Sequence, residues 1–373
     1  MSYKPREIYK GRRKFRVPLI ILLFTVAFLF IAAVGLFYGL QQFIVYDQNG
    51  VTLQFSKTET ETETTETESL YHKPDVSGLN VQLVFLDPDF SDVNLVDTEE
   101  YGKLRAVWIP AETTLSSVKL AAALVTVDAD SCNTVVLEMK SSGGQLAWSS
   151  NATLAVNYGT TGYTDFSEIV AQLHEKGLRA AAAISCCADT LMGMRNWPIA
   201  LLTPLGAPYT DADGVYWLDP YNRSVREYLI EMMTELAQLG FDEIILTNLS
   251  HPVSEEGFVY STTLRTEPNP TAAIGQLAVK CAEAMAEYDV AVSACLNQSS
   301  LREGLAEQTG QDVDLFWRCF DRLYCFSDSD NADGDLSLAT AFGGETLRFV
   351  PVCADAAPEG FPSYALYLTS SED

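Results

Sequence analysis

The chain is 373 residues long, 47% hydrophobic, and carries a formal net charge of −26 at pH 7. Its first sixteen residues hold seven Lys or Arg against one Glu, so the remainder carries −32, a balance that repels phosphate backbones and excludes nucleic acid as a partner. Eight cysteines form no C-x-x-C and no histidine stands at metal-ligand spacing from one, so the sequence implies neither a metal nor a cofactor. The cysteines read as buried free thiols, with pairing as the alternative in an oxidising compartment.

From Val17 to Val45 there is no charged residue, and Leu19 to Leu40 is dense in Leu, Ile, Phe, Val and Ala. That exceeds the ~20 residues needed to cross a bilayer. The basic residues before it predict a cytoplasmic N-terminus and an extracellular C-terminal domain. A cleaved signal peptide is the competing reading, but its apolar region would be shorter, ~7–15 residues, and end in small residues. Residues 57–69 read KTETETETTETES, a charged low-complexity run that cannot bury apolar surface and suits a spacer. The expected organisation is a basic tail over 1–16, a signal anchor over 17–45, a Thr/Glu-rich linker and lead-in over 46–100, and a folded domain over 101–373.

Beyond residue 102 strand-like and helix-like runs alternate. Strands are expected at 104–110, 134–139, 178–185, 243–247, 290–296, 322–326, 347–353 and 364–368. Helices are expected at 114–127, 166–176, 224–239 and 272–288, two of them closed by Gly177 and Gly240. Alternation of this kind predicts βαβ units and a parallel sheet. Eight strands over ~270 residues suit a (β/α)8 TIM-like barrel preceded by one transmembrane helix. The last third is short of helix, and about ten residues separate the final two strands, too few for a helical crossover. The barrel can therefore be incomplete at its C-terminal end. A doubly wound open sheet is the alternative, weakened by the missing G-x-G-x-x-G.

Residues 215–252 read VYWLDPYNRSVREYLIEMMTELAQLGFDEIILTNLSHP, and Val135–Gly144 reads VVLEMKSSGG. Trp217, Asp219, Pro220, Val225, Arg226 and Tyr228, followed by Leu239 to Ile244 and Pro252, resemble the bacterial "putative glycoside hydrolase domain" family, TIM barrels distantly similar to α-amylase-like enzymes. The resemblance spans roughly 103–370 and is dilute outside 215–244. It implies a carbohydrate or cell-wall glycan as the partner and an envelope location. Thr247 stands where the family has an acid at the end of the fourth strand, Ser250 where it has an Arg, and Cys295 replaces the acid of the fifth. Glycosidases work with two carboxyl groups flanking the scissile bond, and neither Thr247 nor Cys295 supplies one.

Three readings follow: a barrel that binds envelope carbohydrate after losing its usual acids, an active glycosidase with relocated carboxylates, and a non-catalytic envelope scaffold. The relocated pair would be Glu138 and Asp355. Lys140, Trp217, Asn248, His251 and Tyr324 are candidate substrate contacts. Each has a plainer alternative: Glu138 and Lys140 share a face by strand alternation and can simply pair. Asp189, Asp321 and Asp328 read as solvated loop acids. Asp242 and Glu243 begin their strand, at the end of a barrel that serves stability. Trp148, Trp197, Tyr209, Tyr216, Trp217 and Tyr221 fall in loops at the barrel mouth, where they either stack on sugars or pack over the opening.

Overall fold

The computed structural model describes residues 44–47, 50–53, 87–96, 101–254, 257–260, 269–342 and 344–369. The chain divides into two compact units, Met1–Val81 and Gln82–Asp373. In the first, Ile44–Asp47 pairs antiparallel with Gly50–Leu53. The apolar span 17–45 lies outside the described residues except for Ile44 and Val45, which open that hairpin, and the linker over 57–69 lies wholly outside them. Among the described residues no helix is long and apolar enough to cross a membrane.

The second unit is a closed barrel of eight parallel strands. In chain order they are β1 (Arg105–Ile109), β2 (Thr134–Lys140), β3 (Arg179–Ser185), β4 (Glu243–Thr247), β5 (Ala291–Leu296), β6 (Leu323–Phe326), β7 (Phe349–Cys353) and β8 (Tyr364–Tyr367). The ring closes where β8 pairs with β1, Tyr364 opposite Arg105 and Tyr367 opposite Trp108. Closure corrects the expectation of an incomplete barrel. What is missing is the outer helix between β7 and β8, whose strands are joined by residues 354–363 alone. Strands of four or five residues are only ~13–17 Å long, and ten extended residues reach about twice that. A loop is therefore long enough to return to the start of the next strand.

Side-chain alternation fills the barrel. Trp108, Val136, Ala181, Ala183, Ile245, Cys295, Tyr324, Val350, Val352 and Ala365 point inward. The alanines of β3 leave room for two large rings, Trp108 and Tyr324, which meet edge to face with centroids 6.1 Å apart. The outward set, including Val135, Leu137, Ala180, Ala182, Ile184, Ile244 and Leu246, packs under the helices. These strands are buried on both faces, as parallel strands generally are.

The main helices around the ring, among the described residues, are α1 (Ser117–Thr126), α2 (Ser167–Glu175), α3 (Arg223–Gln238), α4 (Pro270–Met285), α5 (Val313–Cys319) and α6 (Ala332–Ala341), with shorter ones between them. The longest show why they form. α3 starts at Asn222, whose side chain accepts from the Ser224 N–H, and buries Val225, Tyr228, Leu229, Met232, Met233 and Leu236 at helical spacing. Each such burial contributes about 1.5–3 kcal/mol. The helix stops at Leu239 before Gly240, whose φ of +91° favours glycine. α4 opens on the Asn269 cap with Pro270 in its first turn. Helices α5 and α6 correct the expectation of a last third short of helix. Val313, Leu315, Phe316, Trp317 and Cys319 of α5 are all buried, which erases the one-sided pattern that marks a surface helix.

Candidate functional site

Barrel sites form where the strands end and the loops begin. At the end of β4, Thr247 is 8% exposed; near the end of β5, Cys295 faces the barrel interior at 6%. Burial pushes the Cys295 thiol well above its usual range, so it stays neutral. The two positions thus present a hydroxyl and a thiol.

On the β2–β4 side the polar groups are locked together. A register shift between Glu138 and Lys140 breaks the alternation of β2. Lys140 consequently does not pair with Glu138. Its ammonium lies 3.0 Å from Asp189 Oδ2 and donates to the Ser185 carbonyl, with both charged side chains fully buried. Such burial leaves Lys140 no surface for a ligand and makes Asp189 a core acid rather than a solvated one. Asp189 Oδ1 also accepts from the Met192 N–H, capping the Thr190–Arg195 helix. Gly144, at φ +90°, lets the β2 loop reach this carboxylate, for a Cβ there would stand 2.1 Å from Asp189 Oδ1. Ser185 Oγ donates to the Ala188 carbonyl and accepts from Asn248 Nδ2 at 2.9 Å. Asn248 holds φ +50°, the one positive φ among described non-glycine residues.

The opposite side is open. Glu138 is partly exposed, and its Oε2 accepts from the Ala111 N–H at 3.0 Å. The Tyr367 hydroxyl and the Trp108 indole face the same carboxyl, although Trp108 Nε1 makes no hydrogen bond of full geometry. Burial raises the Glu138 pKa, these donors partly offset it, and the nearby Glu112 charge raises it further. Trp108 meets Phe326 at 5.5 Å, and Phe326 meets Tyr367 at 5.8 Å, so aromatics carpet this edge. Phe326 is 47% exposed. Beyond it a cleft of about 970 Å³ is lined by Phe326 and Tyr367 together with Gln298, Asn331, Asp335 and Asp355 among others.

The remaining expected residues divide by burial. Asp355 borders the cleft but is exposed, and its oxygens accept from the Ser329 N–H and hydroxyl, which hold its pKa below the usual carboxylate value. Asp335 is buried on α6, where Gln298 and Ser327 donate to it. Tyr324 is enclosed in the barrel with its hydroxyl donating to Glu243 Oε1 at 2.9 Å, so it cannot touch a ligand at the mouth. Trp217 is 8% exposed and donates its indole N–H to Asp211, a loop-packing role. Trp148 is likewise buried, donating to Glu235, whereas Trp197 is exposed. His251 is 2% exposed, packed against Phe258 and Tyr260, with its Nδ1 unpartnered. Desolvation lowers its pKa to about 4.

At the other end of the barrel, Asp242 accepts from the Ala180 N–H and lies 2.9 Å from His174 Nε2. Glu243 points into the barrel, accepting from Ser293 and Tyr324. Asp321 accepts from the Val292 N–H and Tyr101 hydroxyl there, so it starts β6 rather than bordering the mouth. A second cleft, about 610 Å³, opens at this stability face beside Asp242 and Arg322, away from the loops of the mouth. All eight cysteines are buried and unpaired, and burial raises Cys187, for example, to about 12. Among the described residues no three His, Cys, Asp or Glu gather as a metal set.

Sequence reading passed over Glu112 and Phe326. Glu112 follows β1 by three residues, and that position at a strand exit was its only signal.

The family model "Putative glycosyl hydrolase domain" matches residues 106–323, more than half of the chain. Among solved structures, the PgaB (BpsB) glycoside hydrolase domain from Bordetella bronchiseptica is 12% identical over 72% of this chain and 94% of its own, with a TM-score of 0.53. A hypothetical protein from Ruminiclostridium thermocellum is 22% identical over 50% of this chain and 96% of its own, with a TM-score of 0.43. The catalytic domain of a β-amylase from Paenibacillus polymyxa is 11% identical over 72% and 93%, with a TM-score of 0.48. At 12% identity the likeness to the Bordetella domain is one of fold alone. No curated protein matches the chain. A closed eight-stranded parallel barrel and a family match running from β1 into β6 agree, and the chain belongs to the "Putative glycosyl hydrolase domain" family.

Proposed function

We propose that this chain is a membrane-tethered, extracytoplasmic barrel that binds a neutral cell-envelope glycan in the cleft bordered by β5 to β8. One observation carries the reading: a concave cleft at the barrel mouth exposes the Phe326 ring beside Tyr367, with amide and carboxylate side chains around them. Sugar rings bury apolar faces on aromatics and direct hydroxyls to polar walls. Among the described residues, Asp328, Asp335 and Asp355 border the cleft against one cation, Arg302, which disfavours glycans bearing phosphate or uronate. Thr247 and Cys295 supply no acid, so binding does not rest on the family's usual acids. The tether rests on the uncharged run 17–45 behind its basic flank.

Binding is measured by calorimetry on the full chain in detergent, using N-acetylglucosamine and maltose tetrasaccharides. Saturable binding to one of them is expected, with Phe326→Ala weakening it at unchanged melting temperature. No saturation with either, or an indifferent Phe326→Ala, sinks the assignment. Protease added to intact cells tests the topology: the barrel domain should be degraded, and its survival would place it inside.

A further inference from the structure

The outer faces of the barrel helices differ in chemistry. Along α2 the exposed residues include Glu168, Gln172 and Glu175, and along α3 Arg223, Glu227 and Gln238. Helix α1 breaks this pattern. Its inner side is held by the buried Leu120, with Ala123 and Leu124 half-buried against the core. Its outer side is apolar as well: Val118 is 78% exposed and Val125 84%, and Ala121 and Ala122 between them are exposed. Leu115, just before the helix, extends the stripe at 43% exposure. From Ser117 to Thr126 the one charged residue is Lys119. A helix that is apolar on both sides is normally covered on both.

The geometry points to this face as an interface with a second copy of the chain, the two α1 helices packing antiparallel about a two-fold axis. The spacing is self-complementary. Val118 stands three residues before Ala121, and Val125 three after Ala122. In an antiparallel pair centred on the two alanines, Val118 of each copy therefore meets Val125 of the other, the reciprocity that a two-fold interface requires. All four residues fall within about 100° of the helix circumference, and alanine at the crossing lets the axes approach to about 8 Å. Charge agrees with that orientation. Asp128 and Asp130, exposed just past the end of the helix, come to lie beside the N-terminal turn of the other copy, the positive end of its dipole. The same acids, in a chain of net charge −26, disfavour an anionic lipid surface, and α1 lacks the basic polar face of a helix that lies on membranes. The face of one ten-residue helix, about 15 Å long, falls short of the ~800 Å² per partner of a standard interface, so the dimer is weak and reversible.

Cysteine cross-linking reads this register. All eight native cysteines are buried, so a thiol introduced on α1 is the accessible one. The full chain is oxidised in detergent and run on non-reducing gels. Ala121→Cys should give a disulfide-linked dimer, because that residue lies next to the two-fold axis. Val118→Cys and Val125→Cys should each stay monomeric alone, since like residues then stand about 10 Å apart along the helices, too far for a disulfide. The two should link when mixed. Ser167→Cys, exposed on α2, is the control for random collision. Adding Val118→Lys to Ala121→Cys should abolish the link, and adding Val125→Glu as well should restore it, because the two positions face each other only across the interface. Ala121→Cys linking no faster than Ser167→Cys overturns the proposal. So does a dimer from Val118→Cys alone with none from the mixture, the result of a parallel pair. An unlinked Ala121→Cys thiol that soluble maleimide labels freely in detergent but slowly with phosphatidylcholine liposomes would assign the face to lipid, and that too overturns it.

Discussion

The two sides of the barrel mouth place similar side chains under opposite conditions. Over β2 to β4, Lys140, Asp189 and Ser185 interlock out of solvent, with the half-buried Asn248 donating to Ser185. Over β6 to β8, Phe326 and Tyr367 border a cleft and keep exposed surface, and Glu138 on β2 is itself partly exposed. Asp189 follows β3 and Glu138 stands near the end of β2, yet one has a buried cation and a helix cap while the other has a backbone N–H and aromatic neighbours. A carboxylate with all its partners built in stabilises a fold; one with spare capacity can meet a ligand. Position at a strand end therefore does not by itself mark a functional acid. What the acid already touches decides.

The sharpest way to break this comparison is to remove the cation. Lys140→Ala leaves Asp189 buried without its partner, which costs about 3–5 kcal/mol. Chemical denaturation should read that loss, and a change below about 1 kcal/mol would mean that the pair is not a buried structural bridge. Lys140→Met with Asp189→Leu should recover most of the loss, since a buried pair is replaceable by apolar volume.

His251 offers the next largest effect, and its sign is fixed. Its folded pKa of about 4 lies below the ordinary histidine value of 6.5. Between those values the unfolded chain holds the proton more readily, so stability is fully present above pH 6.5 and falls as pH drops toward 4. Two and a half units correspond to about 3 kcal/mol. Denaturation of His251→Leu beside the wild-type chain at pH 7 and pH 4.5 should show a smaller pH loss in the variant. Equal losses would mean that His251 is solvated.

On the open side the effect is smaller and falls on binding. Phe326→Ala should weaken glycan affinity by more than about 1 kcal/mol, as truncation of an exposed aromatic anchor does. Stability should hardly move, because 47% of the residue is already in water.

Much of the fold was legible because its pattern is local. The eight strand runs and the α3 segment with its Gly240 stop appear where hydrophobic period and capping chemistry put them, while the Asn222 cap that starts α3 emerged only in the structure. Helix α5 was not legible, since burial on every side removes periodicity. Barrel closure was not legible either, because it depends on how little loop a short strand needs. At the site, the irregularity after Glu138 turns Lys140 away from its expected partner, and no feature of VVLEMKSSGG announces a bulge. Burial of His251 and Tyr324 is likewise a tertiary outcome. Glu112 escaped notice because a single acid in a turn has no pattern at all.

The smallest effect tests how the locked side is finished. Asn248 adopts φ +50°, a conformation that costs an ordinary residue about 1–2 kcal/mol and that Asn tolerates better than most. It also donates to Ser185 Oγ at 2.9 Å. Asn248→Ala loses the hydrogen bond and bears the backbone strain; Asn248→Gly loses the bond alone. Each should be destabilising relative to wild type through the lost bond, about 1 kcal/mol, and glycine should be about 1 kcal/mol the more stable of the two. Equal stabilities would show that the turn relaxes out of the left-handed region once the side chain is gone. In that case the conformation is imposed by the hydrogen bond to Ser185, and the network, rather than the β4 exit, sets the shape of this side of the mouth.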